Sequence, residues 1–150
     1  MSSKSFINLC SALTLSRFLA ETVLRDCPAE DKGNRKIRRT CERIVEHVHA
    51  TRDLWPPVDA NDLQQICDRL NFLGDKVLHG PRNMTELCGV SLALLCDMEV
   101  NLKGHRRAAI AELIEMMERL NREFDGRLED QESYAYASRA TDSWYQAVGL

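Results

Sequence analysis

Apolar residues recur along this chain at steps of three and four, and no stretch alternates apolar with polar long enough to make a convincing strand. The pattern predicts a first helix over about 3–26. Phe6, Cys10, Leu13 and Leu24 fall on one face, and Leu15, Phe18 and Leu19 fall on others. A helix apolar over several stripes either sits centrally or packs against a second subunit. A second helix is expected from Lys32 or Arg35 to Arg52. Ile37, Cys41, Ile44, Val45 and Val48 keep the spacing of a single buried face, until the paired prolines of "DLWPPVD" stop it. A third begins near Asp59, capped by Asp59 and Asp62, with Leu63, Ile66, Cys67, Leu70, Leu73 and Val77 expected to be buried and Phe72 pointing off the stripe.

The "HGP" at 79–81 ends that helix, and Asn83 with Glu86 resembles a capping pair for a fourth. Its core, "LCGVSLALLCDM", is apolar all round, which predicts the central helix of the bundle; about twelve residues are too few to span a bilayer. A fifth helix should run to about Phe124, burying Ile110, Leu113, Ile114, Met117, Leu120 and Phe124 and turning Glu112, Glu115 and Glu118 outward. The fold class is therefore all-α, a compact bundle of five or six helices in a domain of residues 1–124. Residues 125–150, acidic and then aromatic, form a short helix or an arm packed on the same domain.

Composition adds limits. The 150-residue chain is long enough to bury about two-thirds of its unfolded surface, so it needs neither metal nor disulfide to fold. A net charge of −3 argues against a surface that grips nucleic acid everywhere. The charge is unevenly placed: residues 31–52 hold seven basic and three acidic residues, and residues 108–150 hold four basic and nine acidic. Six cysteines would suggest a disulfide framework in a secreted chain, but "FINLCSALTL" is broken by Asn8, followed by Arg17, and lacks a small-residue cleavage site. Five of the six cysteines lie in helical patterns, so buried, reduced thiols and a cytoplasmic setting are expected. Residues 1–20, rich in Ser and without an acid, also have a transit-peptide character.

The sites for chemistry are sparse. His47 and His49, two apart on a helix, point about 200° away from each other and cannot share an ion. Cys88 and Cys96 are about 12 Å apart along a helix axis, and there is no Cys-x-x-Cys. Cys27, in a charged loop, is the one cysteine placed for reactivity. The spacing of Arg43 and His49 resembles that of small helical ribonucleases, yet six helical residues turn the pair about 240° apart. Glu112-x-x-Glu115 followed by Glu129-x-x-Glu132 resembles the paired acidic motifs of all-α nucleotide pyrophosphohydrolases; here the second pair falls in a segment of low apolarity. Solvated helix faces account for both patterns. No phosphate loop or dinucleotide fingerprint is present. No metal, cofactor or catalytic residue is expected, and the chain reads as a non-enzyme.

What remains is a set of surface features. "DKGNRKIRR" at 31–39 and "LKGHRR" at 102–107 place cations before helices whose N-termini disfavour them. Glu42 and Glu46 share the outward face of Arg35 and Arg39, with Arg38–Glu42 and Arg39–Glu42 at ion-pair spacing, and a phosphate-binding face seldom carries such carboxylates. Trp55, Phe72, Tyr134, Tyr136, Trp144 and Tyr145 are aromatic anchors of the type enriched in protein interfaces. The sequence thus predicts a small regulatory protein that binds and sequesters or blocks another protein through these aromatics with Arg35 and Arg39, as a homo-oligomer and without a membrane. The alternative is a nucleic-acid adaptor using Lys32, Lys36 and Arg38 with Arg35 and Arg39, joined by Lys103, Arg106 and Arg107.

Overall fold

A computed structural model describes residues 3–77 and 83–127, and within them the side chains of 5–25, 27–68, 88–89 and 91–124. Five α-helices follow in order: α1 (Ser3–Asp26), α2 (Arg35–Ala50), α3 (Ala60–Val77), α4 (Asn83–Glu99) and α5 (Gly104–Arg127). No strand occurs among the described residues. Short 3₁₀ turns at Lys32–Asn34 and Arg52–Leu54 bracket α2.

Four helices close a ring: α1 packs on α2 and α4, and α5 packs on the same two from the far side. Thr40 meets Glu123 and His47 meets Ala109, so numbering rises along α2 as it falls along α5, and the two are antiparallel. Cys88 donates to the Met117 carbonyl across α4 and α5, which are joined by a short turn. In this ring α2 and α4 run parallel on one diagonal, so the chain must travel the bundle's length between them. That crossover is α3, lying outside the ring against α1.

The centre is α1 rather than α4. Leu9, Ala12, Leu15, Leu19, Ala20 and Val23 are buried, and α2, α3 and α4 cover its several apolar faces within the chain. Residues 5–25 are long and apolar enough to cross a membrane, and here that apolarity is used in packing. The expectation of a central α4 is corrected. It buries Cys88, Ser91, Leu95 and Met98 on one side, while Gly89, Ala93 and Cys96 are exposed on the other. The number of neighbours explains the reversal: α1 packs against α2, α3 and α4, whereas α4 packs mainly on α1 and α5.

Small residues set the α1–α4 spacing. The Ser16 and Ser91 hydroxyls are 2.6 Å apart and share the Ala12 carbonyl at 2.8 and 3.2 Å, so the buried pair is satisfied by backbone that α1 already exposes.

On α2 the expected face is the observed one, with Ile37, Cys41 and Ile44 buried and Val45 and Val48 packed at its edge. On α5 the expected core residues Ile110, Leu113, Ile114, Met117 and Leu120 are buried and Phe124 packs against them, while Glu112, Glu115 and Glu118 are exposed. The α3 stripe is only partly realised. Ile66 is buried, but Leu63 is 54% exposed and Cys67 is exposed, because a crossover helix resting on one neighbour covers a single narrow edge. Asp59 caps this helix as expected, its carboxylate accepting from the Asp62 amide at 2.8 Å. The side chains of Leu70, Phe72, Leu73, Val77 and Glu86 lie outside the described residues, as do the turn at 79–81 and all of 128–150, including Glu129, Glu132, Tyr134, Tyr136, Trp144 and Tyr145.

Candidate functional site

The cationic start of α2 is built by a local device. The Asp31 carboxylate accepts from the Gly33 amide at 2.9 Å and closes the 3₁₀ turn. Asn34 then anchors the turn to the preceding loop, its Nδ2 donating to the Pro28 carbonyl at 3.0 Å. Both contacts fix the course of the chain into α2, while Lys32, Arg35, Lys36 and Arg39 remain exposed.

Arg38 has a different placement. Its Nη1 donates to the carbonyls of Leu24 and Cys27, at 2.8 and 2.6 Å. These carbonyls lie at and just past the C-terminus of α1, where a helix lacks partners and its dipole favours a cation. Arg38 thus staples α1 to α2, with that nitrogen turned inward rather than toward a ligand. The expected ion pairs of Arg38 and Arg39 with Glu42 are not formed; the ion pairs drawn among the described residues are Arg17–Glu21, His47–Glu112 and Arg52–Asp53. Glu42 and Glu46 are exposed beside Arg39 and Arg43.

The seam between α2 and α5 is polar and partly buried. His47 Nε2 is 2.7 Å from the Ala109 carbonyl, and its Nδ1 faces Glu112 at 3.6 Å, so this histidine bridges two helices. His49 is exposed and pairs with Arg52. Thr40 Oγ1 is 3.1 Å from both the Lys36 carbonyl and Glu123 Oε1. Burial raises the pKa of the Glu123 carboxyl above the ordinary glutamate value, against the opposing effects of Thr40, Arg119, Lys36 and Arg122, and its other oxygen is buried without a hydrogen bond. Sequence reading missed this grouping because Arg119 and Arg122 belong to a stretch that is acidic on average.

The second basic run lies elsewhere. Gly104, at φ +60°, starts α5, a conformation that costs glycine nothing. Arg106 donates from Nε to the Leu54 carbonyl at 2.8 Å and stacks 6.0 Å from the Trp55 ring centre. Trp55 is half-buried against the core, with its indole nitrogen enclosed and unpartnered. Lys103 and Arg107 are exposed. Since α2 and α5 are antiparallel, "LKGHRR" lies at the end of the bundle opposite "DKGNRKIRR", and the two runs do not form one surface.

The thiols divide by depth. Cys41 and Cys88 are buried, Cys10 and Cys27 are half-buried, and Cys67 and Cys96 are exposed, which corrects the expectation that the helical cysteines are all enclosed. Burial pushes the Cys41 thiol up to about 12. No group of three His, Cys, Asp or Glu side chains able to hold a metal occurs among the described residues. Comparison with protein-family models, with curated proteins and with solved structures found no match.

Proposed function

We propose that this chain is a non-enzymatic, cytoplasmic interaction protein that binds another protein and thereby sequesters or blocks it. The observation that carries this reading is the outward stripe of α2, where Arg35, Arg39, Glu42 and Glu46 are all exposed and none is engaged in an ion pair with another described residue. Their spacings of four, three and four residues give two cations followed by two anions along one face. A phosphate backbone presents a single sign of charge, whereas a protein surface can match such an ordered pair of signs and use it to set orientation and encounter rate.

Affinity purification from the native cell, with and without nuclease, tests the reading. A protein partner should persist after nuclease treatment and be lost on the double reversal Arg35→Glu/Arg39→Glu. Recovery of nucleic acid alone would sink it and transfer the exposed Lys32, Arg35, Lys36 and Arg39 to the adaptor reading.

A further inference from the structure

The end of α5 meets the start of α2. The contact between Thr40 Oγ1 and Glu123 Oε1, at 3.1 Å, sets the register of the two antiparallel helices. Lys36 precedes Thr40 by four residues and Arg127 follows Glu123 by four, so both stand about 6 Å beyond that contact in the same direction. Packed helix axes lie roughly 8–10 Å apart, so α5 ends alongside the first turn of α2. That turn and its flanks carry Lys32, Arg35, Lys36 and Arg39, all exposed and none in an ion pair with another described residue. The acids beside them in the chain are Glu30 and Asp31, and Asp31 is tied to the Gly33 amide. Glu123 has one oxygen on Thr40 and the other enclosed. The remaining carboxylates of the two helices lie toward the opposite end: Glu42 and Glu46 are about 9 and 15 Å beyond Lys36, and Glu115 and Glu112 about 12 and 16 Å from Glu123. This pole therefore keeps an excess of positive charge.

The chain leaves α5 at this pole, and its next five residues include Glu129, Asp130 and Glu132. We infer that this acidic segment folds back over the start of α2 as the pole's own counter-charge, with its carboxylates set against Lys32, Arg35, Lys36 and Arg39. Two observations name this occupant. The first is the tether: two to five residues past Arg127 reach at most about 7–18 Å, which covers the gap from the end of α5 to the first turn of α2. A link that short holds the three acids at an effective concentration of about millimolar, an advantage that no free polyanion has. The second is charge: four exposed cations face three acids of the same chain, and two of the four are arginines, whose planar forks suit carboxylates. The cover goes beyond the protein-binding reading and holds without it. One consequence does rest on that reading: the segment competes with the partner for Arg35 and Arg39, so binding there requires its displacement.

The test uses the unaltered full chain. A water-soluble carbodiimide joins a carboxylate to a lysine amine only where the two are in contact, and mass spectrometry of the digested protein reads which residues are joined. Glu129, Asp130 or Glu132 should be linked to Lys32 or Lys36, and Lys103, at the opposite end of the bundle, should not be linked to them. The yield should fall at least about threefold when sodium chloride is raised to about 0.5 M, because the contact is electrostatic. Mixing isotopically heavy and light protein should give links within one chain alone. Absence of links from 129–132 to either lysine, equal yield at Lys103, or links found only between heavy and light chains overturns the inference. These outcomes are separate from those for the partner: recovery of nucleic acid alone from the native cell removes the protein-binding reading and leaves the cover standing, and failure of the cross-links removes the cover while a protein lost on Arg35→Glu/Arg39→Glu still supports that reading.

Discussion

Glu123 and Arg38 show how far one side chain's role depends on what folds against it. Between the ordinary glutamate pKa and its raised folded value, Glu123 keeps a proton that the unfolded chain has released. Its contribution to stability is therefore fully present below the ordinary value and is lost as pH rises through the folded one. Glu123→Gln should flatten this part of the stability profile, so that urea midpoints measured from acid to neutral pH fall less than in the parent. Arg38→Ala removes two charge-assisted contacts at the end of α1 and should cost about 1–2 kcal/mol in chemical denaturation, whereas Arg35→Ala should change stability by less than about 0.5 kcal/mol. Neither difference was legible in the sequence. Arg35 and Arg38 are both arginines in one basic run, and only the returning end of α1 tells them apart. Glu123 read as one more acid in an acidic third until Thr40 was placed beside it.

For the helices themselves, periodicity was a good guide wherever a helix buries one stripe. The stripes of α2 and α5 appear in the structure almost residue for residue. Periodicity misled where the number of neighbours decides burial. Among the described side chains of α4, the helix that reads as apolar all round, Gly89, Ala93 and Cys96 are exposed, and α1, whose apolar residues are spread over several faces, is the one enclosed. Of the described part of the α3 stripe only Ile66 is buried, with Leu63 and Cys67 exposed, because the topology makes that helix a crossover. These placements give opposite mutational signs on the two sides of α4. Nothing lies near the position a Cβ would take at Gly89, so Gly89→Ala should raise stability by about 0.5–1 kcal/mol through helix propensity. Ser91, wedged against Ser16, has no such room, and Ser91→Leu should cost about 1–3 kcal/mol or more by overpacking. Thermal melts of the pair check both signs.

Considered as a whole, the molecule carries its six cysteines at three depths, and their reaction order reports on the whole bundle at once. A thiol reagent at neutral pH should modify Cys67 and Cys96 first. Cys67 should lead, because slight burial and the carboxylates of Glu118, Glu99 and Asp97 raise the Cys96 thiol. Cys41 and Cys88 should react only with global unfolding, in step with the loss of helix signal by circular dichroism; labelling of Cys41 ahead of that signal would contradict the packing of α1 on α2. The antiparallel course of α2 and α5 has one more consequence. The start of α2 and the start of α5 are separated by about the 16-residue length of α2, roughly 24 Å. A ligand shorter than that sees two independent poles with separate saturation curves. A single ligand that engages both must itself be a ruler of at least that length, and its avidity would be lost as soon as it is cut in the middle.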